Sequence, residues 1–254
     1  MKVALFIPCY VQATAPQVGR ASLLLLKALG VDAEVPEGQT CCGQPMGNAG
    51  FQADAKALAQ RFERIFQDYD VIVGPSSSCV TFVREHYPEL TGGSAAGRIY
   101  DICEYIHDVV RPKALPWAKF PHKVSLHNSC HGVRLMHLSA PSELNVPYFN
   151  KLKDLLEMVD GIEVVQPERP DECCGFGGLF SVEESAVSVQ MGRDKVRRHL
   201  ATGAEYITAA DSSCLMHQGG VAKAMSLPLK TIHIVEILAS GLDGDDASWL
   251  DTNL

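Results

Sequence analysis

Nine cysteines stand in the 254-residue sequence, and eight of them fall into one scheme that occurs twice. The first set reads Cys9-x31-Cys41-Cys42-Gly43-x35-Cys79, and the second Cys130-x42-Cys173-Cys174-Gly175-x38-Cys214. Chance does not place two adjacent pairs, each followed by glycine, at matching points of both halves. Thiolates are soft ligands that select iron–sulfur clusters, zinc or Cu(I), and four cysteines complete an iron–sulfur cluster. Adjacent side chains diverge, so a doublet suits two irons of one cluster better than a single tetrahedral ion. Gly43 and Gly175 give the backbone access to positive φ or to close approach of a cofactor.

Two other chemistries fit the same residues. A doublet can serve as the redox pair of a thiol–disulfide enzyme, which needs one reactive thiol and no iron. A zinc-stabilised assembly module would hold metal without catalysis. Cys103 lies outside the repeated scheme and reads as a buried structural cysteine. His127 and His131 flank Cys130, where they can donate hydrogen bonds to cluster sulfur or cap the next helix. His217 follows Cys214 by three residues, about one helical turn, and is a candidate nitrogen ligand. Ser76, Ser77, Ser78, Ser212 and Ser213 read as helix caps. Arg193, Lys195, Arg197 and Arg198 read as a solvated helix face, suited to an acidic ferredoxin-like partner.

The elements that must position the cysteines also repeat. In the first half, strands are expected over 2–7, 31–35 and 71–74. Helices are expected over 16–29 and 49–69, after Cys79, and over 100–110. In the second half, strands are expected over 123–127, 162–165 and 205–209. Helices are expected over 148–159 and 180–201, after Cys214, and over 234–240. One cysteine follows the first strand of each half, the doublet follows the second, and one follows the third. The carboxyl ends of parallel strands share one edge, where ligands bind, so three loops there can gather four distant sulfurs. The expected fold is α/β: two homologous Rossmann-like lobes with parallel sheets, the cysteine loops at the carboxyl ends of the strands. The expected domains are a first lobe over 1–111, a proline-bearing linker over 112–121, a second lobe over 122–242 and an acidic tail over 243–254.

The formal charge of −8, with no marked Lys/Arg cluster, argues against nucleic acid as partner. No apolar run approaches the roughly 18 residues of a membrane span. The apolar start over 1–7 lacks the features of a signal peptide. A cytoplasmic location is expected, where thiols stay reduced and serve metal or redox chemistry. No dinucleotide fingerprint, phosphate loop or nucleophile elbow is present.

Four strings carry a resemblance: Phe6-Ile7-Pro8-Cys9, Gln39-Thr40-Cys41-Cys42-Gly43-Gln44-Pro45, Cys173-Cys174-Gly175-Phe176-Gly177-Gly178, and Asp211-Ser212-Ser213-Cys214-Leu215-Met216-His217. Together they resemble the CCG-type cysteine-rich iron–sulfur family, whose members include the cysteine-rich component of heterodisulfide reductase and the iron–sulfur component of glycolate oxidase. The lactate-utilisation branch fits best, and the resemblance spans nearly the whole chain. It implies an oxidoreductase component, not active alone, that passes electrons in the oxidation of L-lactate to pyruvate. It implies 4Fe-4S clusters, one or two per chain. Cys9, Cys41, Cys42 and Cys79 would hold one; Cys130, Cys173, Cys174 and Cys214, with His217 as a further candidate, would hold the other. Zinc is the alternative in the first half. The implied partners are a ferredoxin-type iron–sulfur protein and a third small protein. The family pattern ends each half in Cys-x2-Cys, and here the last position is Phe82 in one half and His217 in the other.

Overall fold

The computed structural model describes residues 1–242, so the acidic tail over 243–254 lies outside the described residues. The chain divides into two compact units, Met1–Pro112 and Lys113–Gly241.

In the first unit, β1 (Val3–Leu5) leads into α1 (Cys9–Thr14) and α2 (Pro16–Ala28). Then come β2 (Ala33–Glu34), α3 (Gln44–Asn48), α4 (Gln52–Phe66), β3 (Val71–Gly74), α5 (Ser77–Thr91), β4 (Ile99–Asp101) and α6 (Ile102–Glu104). The sheet order is β2-β1-β3-β4, with every pairing parallel. The chain winds outward from β1 to β2, then crosses back to β3. That reversal opens a crevice at the carboxyl ends of β1 and β3. Right-handed crossovers place α2 on one face and α4 with α5 on the other.

Why these elements form is plain from the residues. Pro16 at the first helical position has no N–H to leave unpaired, and it starts α2. Leu23, Leu25 and Leu26 on α2 are buried. Behind β1, Phe6 packs edge-on against Phe62 at 5.0 Å and Phe66 at 5.9 Å, and Phe62 meets Tyr87 at 5.4 Å. The Tyr87 hydroxyl donates to the Cys42 carbonyl at 2.8 Å, so this aromatic core reaches the cysteine loop.

The second unit repeats the series. It runs β5 (Lys123–Leu126), α7 (Cys130–Arg134), α8 (Lys151–Leu156), β6 (Glu163–Val165), α9 (Phe180–Glu183), α10 (Ser185–Ala201), β7 (Tyr206–Ala209), α11 (Ser212–Ala224), β8 (Lys230–His233) and α12 (Ile234–Leu238). Its sheet order is β6-β5-β7-β8, again all parallel. The stretch ahead of β5 packs on this unit: Leu115 and Ala118 are buried, and the Trp117 indole donates to the Leu238 carbonyl at 3.0 Å.

Several elements differ from the expected series. The helix expected over 100–110 begins as β4, and a strand, β8, precedes the last helix. Both fourth strands end at a capping box, Asp101 with Glu104 and His233 with Glu236, which starts the next helix at once. The helix expected over 180–201 breaks at Glu184, whose φ of −115° and ψ of 46° leave the helical region. No helix among the described residues is long and apolar enough to cross a membrane.

Candidate metal centre

Each lobe gathers its four sulfurs at the carboxyl edge of its sheet. Cys9 and Cys130 open α1 and α7, directly after β1 and β5. Cys79 and Cys214 are each the third residue of a helix, α5 and α11, which follow β3 and β7. The doublets arrive on the loops after β2 and β6.

Those loops are tied down. The Gln39 side chain accepts from the Ile7 N–H at 2.8 Å and donates to the Leu5 carbonyl at 3.0 Å. Gln39 thereby fixes the approach to Cys41 against the end of β1. In the second lobe, Asp171 accepts from the Ser142 N–H at 2.9 Å and hydroxyl at 2.6 Å. Beyond each doublet, the N–H of Gly43 or Gly175 turns back onto the sulfur of Cys41 or Cys173, 3.4 Å away in both lobes.

The glycines are required for that turn. Gly43 has φ 93° and Gly175 has φ 92°, in the region where side chains are strained. A Cβ on Gly175 would stand 2.6 Å from the Ser188 carbonyl oxygen and 2.7 Å from the Met191 Cβ, both on α10. Left-handed strain and overpacking add, so Gly175→Ala should lose about 2–4 kcal/mol of stability. Denaturant unfolding of metal-free protein measures this, and the Gly43→Ala loss should be smaller, because its nearest atom is 3.3 Å away.

The thiols lie within hydrogen-bonding reach in a chain. Cys9 meets Cys41, Cys41 meets Cys42, and Cys42 meets Cys79. Cys130, Cys173, Cys174 and Cys214 repeat the order. The two thiols of a doublet therefore turn toward one another. The divergence expected of adjacent side chains holds for extended backbone, whereas here the glycine turn folds the doublet.

One thiolate per quartet is favoured. Cys41 is pulled down to about 3, chiefly by hydrogen bonds from the Cys42 and Cys9 thiols, with the Gly43 N–H helping. Cys173 is pulled down to about 2 by Cys130 and Cys174, again with help from its glycine N–H. The same contacts push Cys9, Cys42, Cys130 and Cys174 upward, since each would place a second negative charge beside the first. The protons of those raised thiols can leave only if positive charge enters the quartet, as metal binding requires. In each quartet two cysteines are buried and two are partly exposed. The donor set is thus enclosed on its inner side and reachable from its outer side. Soft donors in this arrangement fit an iron–sulfur cluster or zinc.

The remaining candidates separate. His131 Nδ1 lies 3.7 Å from the Cys130 sulfur. His217 Nε2 lies 3.3 Å from the Ser188 carbonyl oxygen, and its ring stands 6.2 Å from Phe176. Cys103 is fully buried on α6, as a structural cysteine would be. Ser76 occupies the N-cap position of α5, but in the second lobe that position belongs to Asp211, with Ser212 and Ser213 inside α11.

Lys195 departs from the solvated face expected of it. It is 0 % exposed, and its ammonium donates to the carbonyls of Arg169 at 2.8 Å and Pro170 at 3.4 Å, just ahead of the doublet. Ser188, Gly192, Lys195, Val196 and His199 form the buried stripe of α10, and that helical phase was available in the sequence.

Two parallel α/β lobes, each presenting a cysteine quartet at its carboxyl edge, define a duplicated cysteine-rich α/β protein. The chain belongs to the CCG cysteine-rich domain family, which it matches over residues 3–84 and 124–218. It is 38% identical over 252 residues to lactate utilization protein A of Exiguobacterium sp., covering 94% of this chain and 98% of that protein. It is 36% identical over 247 residues to lactate utilization protein A of Geobacillus thermodenitrificans, with the same coverage of 94% and 98%. Among solved structures, a hypothetical protein from Helicobacter pylori matches with a TM-score of 0.61 at 9% identity. That match covers 98% of this chain but 50% of the other, and it is a likeness of fold.

Proposed function

We propose that this chain is the iron–sulfur component of a cytoplasmic L-lactate-oxidising system, and that each lobe holds one cluster. The single observation that supports the reading most is the duplicated four-sulfur quartet in a chain whose relatives carry the lactate-utilization name along nearly their full length. Cys9, Cys41, Cys42 and Cys79 would hold one cluster, and Cys130, Cys173, Cys174 and Cys214 the other. Converting L-lactate to pyruvate releases two electrons and two protons, and iron–sulfur clusters carry electrons one at a time. The chain's own contribution is to fix the sulfurs on tied loops, to bury two of each four and to leave the other two near the surface. Partly exposed sulfurs suit exchange with a ferredoxin-type partner, and a third small protein would complete the system.

A strain lacking this chain should fail to grow on L-lactate while growing normally on pyruvate. Wild-type protein should restore growth. Normal growth of the deletion strain on L-lactate, in the absence of a second such gene, contradicts the assignment.

A further inference from the structure

The two lobes repeat each other element by element, yet the residues behind their sulfurs differ in kind. Phe6 directly follows β1 and His127 directly follows β5. Each donates its backbone N–H to the third strand at 2.8 Å, Phe6 to Val73 and His127 to Thr208. They are equivalent positions. In the first lobe, Phe6 fills its place among Phe62 and Phe66. In the second lobe, His127 faces His199 at 6.1 Å between ring centroids.

His127 is 0 % exposed, and neither of its ring nitrogens has a hydrogen-bond partner. Two polar neighbours are paired elsewhere through other atoms, although the Nε2 of His199 is itself without a partner. His199 Nδ1 pairs with the Ser125 hydroxyl at 2.7 Å, and Lys195 donates to the Arg169 and Pro170 carbonyls. Burying an imidazole with both nitrogens unanswered costs on the order of 1–3 kcal/mol for each unmet group. The position tolerates an aromatic hydrocarbon in the sister lobe, so packing does not demand histidine. The direction of the ring supplies the reason. One His127 nitrogen and the sulfurs of Cys174 and Cys214 all lie within 4.8 Å of one another.

We propose that His127 is a ligand of the second lobe's metal centre, contributing one imidazole nitrogen beside the thiolates of Cys174 and Cys214. The inference rests on the cluster reading above and deepens it. It makes the two lobes chemically unequal: the first offers thiolates alone, with Phe6 closing the equivalent position. A neutral nitrogen donor adds no negative charge, and histidine ligation raises the potential of a cluster relative to an all-thiolate one. The second-lobe centre therefore accepts electrons first.

The test is pulsed electron paramagnetic resonance on full-length, anaerobically reconstituted and reduced protein, grown with and without 15N-histidine. Wild type and His217→Phe should show a strongly coupled histidine nitrogen, and His127→Phe should lose it. Phenylalanine at this position copies the first lobe and should preserve the fold; His127→Gln, of similar reach, serves if it does not. Stepwise reduction should fill the nitrogen-coupled centre before the other. Persistence of the strong coupling in His127→Phe or His127→Gln overturns the assignment. So does an occupied second lobe in wild type with no directly bonded histidine nitrogen, an outcome that leaves the cluster reading intact. A wild-type chain that takes up no iron or sulfide sinks both.

Discussion

Cys173→Ala should abolish the second-lobe centre and, with it, lactate-dependent electron transfer. Cys173 is the sulfur on which its quartet converges, within reach of Cys130 and Cys174 and receiving the Gly175 N–H. Losing an outer partner of a metal ligand costs about 10–100-fold in affinity or activity, and losing this ligand should exceed that range. Iron and sulfide per chain should fall by the second lobe's share, while the first lobe keeps its own. Cys103→Ala is the matched control: that thiol is buried outside the quartets, so its loss should trim stability and leave iron content unchanged. Full iron content and activity in Cys173→Ala would refute the ligand set. Unchanged iron with lost activity would point instead to a thiol–disulfide role for the doublet.

The second large effect concerns Lys195 and pH. Burial lowers its pKa from 10.5 to about 8 in the folded chain, with the nearby Arg198 charge acting in the same direction. The unfolded chain keeps the ordinary value. Between about pH 8 and 10.5 the unfolded state therefore binds the extra proton, and stability rises with pH across that window. Below the folded value both states are protonated, and the buried charge costs its full amount. The fall from 10.5 to about 8 corresponds to about 3 kcal/mol. Cysteines of the unfolded chain titrate over the same range, so the informative quantity is the difference between wild type and Lys195→Met. On metal-free, reduced protein, wild type should gain about 3 kcal/mol relative to Lys195→Met from pH 8 to 10.5. A constant difference across that range would show that Lys195 is not buried as a charge. At neutral pH the methionine variant should be no less stable than wild type by more than about the worth of two hydrogen bonds, because removing a buried charge offsets their loss.

Much of this architecture was legible in the residues. The doublets with their glycines, the apolar strands ahead of Cys9 and Cys130, and the strand–cysteine order of each half all follow from type and spacing. The parallel sheets follow from strands alternating with helices. The fourth strands were hidden because they are three and four residues long and run straight into capped helices. The folded doublet was hidden because the positive φ of Gly43 and Gly175 reverses the rule for extended backbone. Lys195 was misplaced because charge suggested solvent, although its spacing from Ser188, Gly192 and His199 put it on the buried stripe. His127 was visible as a neighbour of Cys130. Its contrast with Phe6 was readable, since each stands three residues ahead of the first cysteine of its half, but the complete burial and unpartnered nitrogens of His127 come only from the packing.

The most direct test of the central claim is the content of iron, zinc and acid-labile sulfide per chain after anaerobic purification, with electron paramagnetic resonance on oxidised and reduced samples. Iron and sulfide are expected in matching amounts, enough for a cluster in each lobe, with a signal that responds to reduction. Zinc alone, or no metal even after anaerobic reconstitution, would contradict that claim and leave the cysteine quartets as thiol or structural sites.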